Sequence, residues 1–199
     1  MKRKALFIAT IILCLALVTS GTLAYYTARE TAHNVITSGG VDISIVEKTI
    51  NADGELEDFP KDGFSGILPG MDVSKIVTVA NTGPAQVWIR VKVEKAIVGA
   101  DKEQLPLMKE VGDKKIPMLT FDTEERWIAQ GGYYYYSLPV DPGQSTGPLF
   151  EKVVFAPEMD NAYQGCTATV TVHAQAVQTA NNPIPTDGNV TNVQGWPAD

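Results

Sequence analysis

Two stretches of the chain alternate apolar and polar residues with a period of two, which no helix can accommodate on one face. Between Gln86 and Glu94, Val87, Ile89, Val91 and Val93 fall on one side; Trp88, Arg90, Lys92 and Glu94 fall on the other. Between Thr167 and Ala176, Ala168, Val170, Val172, Ala174 and Ala176 oppose Thr167, Thr169, Thr171, His173 and Gln175. Successive side chains of a strand point to opposite faces, so both stretches read as strands with one buried face. Shorter runs at 41–46, 76–80, 133–138 and 152–155 are rich in the β-branched and aromatic residues that suit a pleated surface.

Turn chemistry separates these runs. Asn51-Ala52-Asp53-Gly54, Pro69-Gly70, Asn81-Thr82-Gly83-Pro84, Gly131-Gly132 and Asp141-Pro142-Gly143 supply the positive or fixed φ that tight turns need. Helical periodicity is scarce: 102–111 is the best candidate, although Pro106 interrupts it, and a short helix is expected at 123–129. Many short strands with regular turns predict an all-β antiparallel sandwich with short helical insertions. The segment from Ala180 onward loses the apolar period, and only Val190, Val193 and Trp196 offer docking side chains. The expected organisation is a signal peptide at 1–24, a β-sandwich domain at 25–179 and a flexible C-terminal tail at 180–199.

The first residues predict export. Lys2, Arg3 and Lys4 precede an apolar run from Ala5 to Val18, then a small and polar patch ending at Ala24. This is the three-part pattern of a secretory signal helix, with cleavage expected between Ala24 and Tyr25. The run is shorter than the roughly 20 residues a bilayer span needs. Cys14 lies inside the apolar run rather than at its end, which argues against a lipid anchor. Neither is a C-terminal sorting signal expected, because no apolar tail with flanking basic residues is present. The 199-residue chain has a net charge of −7; cleavage leaves 13 basic against 23 acidic residues, a net charge of −10. Such a balance argues against nucleic-acid binding, which requires cations to displace counterions from phosphates. Only Cys166 survives cleavage, so burial rather than an internal disulfide must hold the domain.

Catalytic patterns are sparse. A zinc protease needs two imidazoles one helical turn apart, but His33 and His173 are distant in sequence. Glu30 lies near His33 without completing a ligand set. Cys166 and His173 are separated by an odd number of positions, so in one regular strand they face opposite sides and form no nucleophile–base pair. The acidic cluster Glu55, Glu57, Asp58 and Asp62 beside Asn51 does not match a calcium loop, whose last ligand position would fall on Pro60. No cofactor is expected, and neither catalytic nor metal residues are assigned. Tyr133, Tyr134, Tyr135 and Tyr136 form the densest aromatic group; alternation places one pair inward, and the others are a candidate surface aromatic cluster able to stack on sugar rings.

Several segments, in order, resemble the TasA/camelysin family of exported Gram-positive proteins. They are Gly21-Thr22-Leu23-Ala24-Tyr25-Tyr26-Thr27, Asn34-Val35-Ile36-Thr37-Ser38-Gly39-Gly40-Val41-Asp42-Ile43 and Pro69-Gly70-Met71-Asp72-Val73. Val77-Thr78-Val79-Ala80-Asn81-Thr82-Gly83, Trp88-Ile89-Arg90-Val91-Lys92-Val93 and the four tyrosines follow. Pro142-Gly143-Gln144-Ser145-Thr146 and Ala174-Gln175-Ala176-Val177-Gln178 complete the series, which covers nearly the whole chain. The resemblance implies a jelly-roll-like sandwich, a leader cut by a SipW-type signal peptidase, and a role in biofilm matrix fibres or on the cell surface; without a zinc motif in the sequence, no enzymatic activity is expected. It also implies self-assembly with other matrix components, with membrane contact only before cleavage.

A mechanism for assembly is expected from the freed N-terminus. Residues 25–46 include a good strand carrying Val41, Ile43 and Ile45, and a free-ended strand can pair with an exposed edge of a neighbour. Two other functions compete with a fibre subunit. One is a camelysin-like surface metallo-endopeptidase; the other is a carbohydrate-binding surface adhesion module.

Overall fold

The computed structural model describes residues 40–60, 68–180, 182–184, 186 and 188–198. The expected signal helix, the Ala24–Tyr25 cleavage point, Glu30, His33 and Asp62 lie outside the described residues. Among the described residues thirteen strands follow in chain order: β1 (Ile43–Ile50), β2 (Leu56–Asp58), β3 (Asp72–Ser74), β4 (Ile76–Asn81) and β5 (Val87–Val98). Then come β6 (Gln104–Leu105), β7 (Met108–Val111), β8 (Lys114–Pro117), β9 (Leu119–Thr120) and β10 (Trp127–Gln130). The last three are β11 (Tyr133–Tyr136), β12 (Lys152–Phe155) and β13 (Thr167–Gln178).

All strand pairings among the described residues are antiparallel, and the fold is all-β. One layer has the order β10-β11-β5-β13, with β6 added on β5. The other contains β2-β1-β4 and β3-β12-β9. The segment before β12 runs beside β4, through Thr146 N–H to Val79 O, Leu149 N–H to Val77 O and Val77 N–H to Phe150 O. It therefore extends that layer without forming a continuous strand. The two alternating stretches, now β5 and β13, pair along their whole lengths from Val87↔Gln178 to Val98↔Thr167.

The core follows from the alternation. Ile89, Val91, Ala174 and Ala176 contribute fully buried side chains from one layer; Val77, Val79, Leu149 and Phe150 meet them from the other. Asn81 is also buried, and its side chain is fully used: Nδ2 donates to Ala85 O and Val140 O, while Oδ1 accepts from Gly83 N–H. A buried amide is tolerated when its polar atoms are paired.

Neither expected helix forms. Gln104–Leu105 pairs with β5, and Met108–Val111 pairs with β8 across the two-residue turn Gly112-Asp113. The other candidate contributes β10, which pairs with β11 across Gly131-Gly132. Both glycines have positive φ, at 61° and 84°, the conformation that a tight hairpin turn requires. Two-residue turns between β-prone partners supply the long-range hydrogen bonds that weak helical patterns cannot match. Helical content among the described residues is limited to two 3-10 turns, Asn161–Tyr163 and Val190–Asn192.

Lys75, only 6% exposed, sits between β3 and β4. Its Nζ is 2.6 Å from Glu47 Oε2 on β1 and 3.9 Å from the centre of the Phe59 ring. Burial holds the ammonium below its ordinary pKa, and Glu47 opposes that shift. Removing one member of a buried ion pair leaves an uncompensated charge, whereas replacing both with apolar groups is often neutral. Glu47→Gln is expected to cost about 3 kcal/mol, and Glu47→Leu/Lys75→Met far less. A lysine depressed in the folded state is protonated more in the unfolded chain, so stability rises as pH climbs through the folded pKa. The deficit of Glu47→Gln should accordingly shrink toward alkaline pH in denaturant titrations; a pH-independent deficit would argue against the ion pair as its cause.

Candidate functional site

The outward face of the β10-β11-β5-β13 sheet carries a second hydrophobic cluster. Trp88, Tyr135 and Val177 meet Val190 and Val193 from the C-terminal segment, and Tyr133 and Trp196 pack around them. Sheet register explains the grouping: Trp88 lies opposite Val177, while Arg90 lies opposite both Gln175 and Tyr135. A row of Gln175, Arg90 and Tyr135 thus crosses three strands on the face turned away from the inter-sheet core.

Arg90 organises this row. Its Nε donates to Gln175 Oε1 at 2.7 Å, and its two terminal nitrogens reach Tyr135 Oη and Pro197 O, each at 3.4 Å. The guanidinium carbon is 3.9 Å from the Tyr133 ring centre and 4.8 Å from that of Trp196. A planar cation that bonds through its edge and stacks through its faces suits such a site better than a lysine. Gln175 is only 7% exposed, and this bond uses its carbonyl.

The C-terminal segment is held at several further points. Trp88 Nε1 donates to Asn182 O at 2.9 Å, and Trp196 Nε1 donates to Val193 O at 2.8 Å. Asn189 Oδ1 accepts from both the backbone and the hydroxyl of Thr191, starting the 3-10 turn that aims Val190 into the cluster. Trp196 meets Tyr135 edge-on, with ring centres 5.7 Å apart. Gly195 has φ +83° and lies so close to the Asn182 side chain that a Cβ would collide with it. The segment expected as a flexible tail thus has a seat built for it, using the three side chains singled out from the sequence.

The four tyrosines divide between the two faces of the sheet. Tyr136 packs on Trp127, with its hydroxyl accepting from Gly147 N–H, and Tyr134 packs against Phe121. Burial pushes the Tyr134 phenol above its ordinary pKa. Tyr133 and Tyr135 join the outer cluster; Tyr133 and Tyr134 are half-buried, Tyr135 and Tyr136 buried. The candidate surface aromatic cluster is therefore corrected: its outward pair is taken up by Arg90 and Trp196 rather than offered to solvent. Sequence reading placed Trp88 and Arg90 on the polar face but gave no partner to either; the Val-x-x-Val-x-x-Trp spacing at 190–196 was the available signal.

The remaining candidates do not converge. His173 Nε2 lies 3.6 Å from Glu94 Oε2 on the outer face, while Cys166 packs against the inter-sheet core, its thiol pushed up by burial. Asp58 pairs with Lys48 at 2.6 Å, which holds its carboxyl below the usual range. Asn51 Oδ1 accepts from the backbone of Asp53 and Glu55, closing the adjacent turn. Among the described residues, no three His, Cys, Asp or Glu side chains form a metal-binding group.

Val41, Ile43 and Ile45 are placed in the chain's own fold. Val41 and Ile43 are 5% and 2% exposed, Ile45 packs against the core, and β1 pairs with β4 from Ile43↔Asn81 to Lys48↔Ile76. On its other edge β1 meets β2 only from Lys48 to Ile50. Among the described residues β13 pairs with β5 alone, so one edge of a 12-residue strand has no strand partner. Gly40 enters this margin beside the Gln178 side chain. No family model, curated protein or solved structure matches the chain.

Trp196→Ala should remove the stacking on Arg90 and Tyr135 and lower stability by about 2 kcal/mol. Equilibrium unfolding followed by far-UV circular dichroism checks this. An unchanged midpoint would mean that the segment contributes nothing to the folded sheet.

Proposed function

We propose that the chain is an exported structural subunit of extracellular matrix fibres, assembling by N-terminal strand donation once residues 1–24 are removed. The observation that supports this reading is that, among the described residues, β13 from Thr167 to Val177 takes its strand pairing from β5 alone. A strand with an unpartnered edge can take up an extended segment through main-chain hydrogen bonds. Because β1 is committed to β4 and the core, the donor is the stretch before it, residues 25–39. Fully extended, fifteen residues span about 50 Å, enough to lie along the roughly 40 Å of β13.

Donation from each subunit to the next makes the interface heterologous, and an interface that does not close propagates as a filament. Cleavage is the switch: before it, the donor is tethered to the membrane-directed leader. The partners are a SipW-type signal peptidase, further copies of this chain and other matrix components, at the cell surface or in the secreted matrix.

Electron microscopy of residues 25–199, beside samples with a blocked N-terminus and a chain starting at Gly40, tests the proposal. Filaments are expected from the free-ended protein alone. Monomers in all three, across protein concentration, pH and salt, would overturn it. Filaments that persist in the Gly40 chain would show that residues 25–39 are not the donor.

A further inference from the structure

The edge of β5 that faces β11 opens partway along its length. The ladder with β11 ends at Tyr134↔Val91, and the ladder with β6 begins only at Ile97↔Leu105. On this edge Val87 exchanges both main-chain bonds with Val140, and Gly99 N–H donates to Glu103 O. Backbone groups of a strand alternate between its two edges, so Val93 and Lys95 present their N–H and C=O groups here too. Among the described residues neither has a strand partner on this side. Between Val93 and the β10-β11 turn lies a cavity of about 400 Å³, its other wall formed within residues 129–134. Gln130 and Tyr134 bring polar side chains to that wall, and neither makes a side-chain hydrogen bond among the described residues.

The lining carries no charged side chain. The lysines on either side of Val93 are engaged elsewhere: Lys92 Nζ lies 3.3 Å from Glu94 Oε1, and Lys95 Nζ donates to Leu119 O at 3.2 Å beneath the Phe121 ring. An ionic ligand would therefore shed water here without meeting a counter-charge. A wholly apolar one would leave the Val93 backbone, the Gln130 amide and the Tyr134 hydroxyl without partners. An extended peptide is poorly served as well. The opening between Val91 and Ile97 is about 20 Å long, and β11 and β6 close both of its ends. A neutral sugar ring meets each requirement: apolar faces for tyrosine, hydroxyls that donate and accept around its rim, and a size the cavity admits. We infer that the opening between β5 and the β10-β11 turn binds a neutral sugar unit, whose hydroxyls pair with Gln130, Tyr134 and the main chain of Val93. The site uses Tyr134 from the inward pair of tyrosines rather than the outward pair. It does not rest on strand donation, which engages β13.

Isothermal titration calorimetry of residues 25–199 with cellohexaose, laminarihexaose, maltohexaose and chitohexaose, beside glucose and N-acetylglucosamine, tests the inference. Saturable binding of at least one of these neutral sugars is expected, and none of the anionic oligomer of galacturonic acid. A hexamer bound about tenfold tighter than its own monomer would identify a polysaccharide chain as the source of the sugar unit; equal affinities would identify the free sugar. Tyr134→Phe and Gln130→Ala should each weaken binding about fivefold, the loss of one hydrogen bond to a neutral ligand. Thr169→Ala, exposed on β13, should leave it unchanged. Circular dichroism establishes that the variants are folded. The bound sugar should also slow hydrogen–deuterium exchange in peptides covering Val93 and residues 129–134. No binding of any neutral sugar at millimolar concentration, an affinity unmoved by both substitutions, or protection confined to other strands would overturn the inference. So would protection of Val93 by a synthetic peptide of residues 25–39 in the absence of sugar binding, which would make this edge an acceptor of strands instead.

Discussion

The continuous pairing of β5 with β13 is the constraint from which the other features follow. Twelve residue pairs fix the register of two long alternating strands, and a shift of one residue would turn each buried side chain to the wrong face. Because that register is set, Ile89, Val91, Ala174 and Ala176 meet the opposing layer. The same register also aligns Trp88, Arg90, Gln175 and Val177 on the reverse side. One ladder therefore specifies two cores, a large one between the layers and a small one beneath the C-terminal segment.

The two cores use different chemistry. The larger is mostly aliphatic, with its buried amide at Asn81 fully paired, and gains chiefly from removing apolar surface from water. The smaller is aromatic and centred on a cation whose hydrogen-bonding edge and flat faces are both occupied. Arg90 gives that second core direction: its bonds to Gln175 and Pro197 fix where the last turn of chain must lie, which a purely apolar contact would not. Lys75 and Glu47 do something similar at the other end of β1, tying it to the start of β4.

The alternating strands were legible in the sequence because period two over nine or ten residues has no competing reading. The helices expected near 102–111 and 123–129 failed where the pattern was weakest. There, hairpins through Gly112-Asp113 and Gly131-Gly132 brought in partners that local periodicity could not reveal. The C-terminal seat was half legible: Val190, Val193 and Trp196 stood out, but the surface receiving them lies a hundred or more positions earlier, on Trp88 and Arg90. The tyrosines were read correctly as split by alternation. Their outward pair was misjudged, because exposure depends on what covers a face and a strand pattern reports only which face a residue takes.

The placement of β13 and the segment after it bears on when this protein can fold. Both elements that complete β5, one on its edge and one over its outer face, follow β1 to β12 in the sequence and are synthesised after them. Until they emerge, Trp88 has no cover and Ile89 lacks its neighbouring strand, so the earlier part of the chain has little to hold it in a finished shape. Pairing so distant in sequence must also be reached by closing a long loop, which slows the formation of the sheet. Late closure of this kind leaves the strands that come first in the chain without their finished neighbours for longer during synthesis.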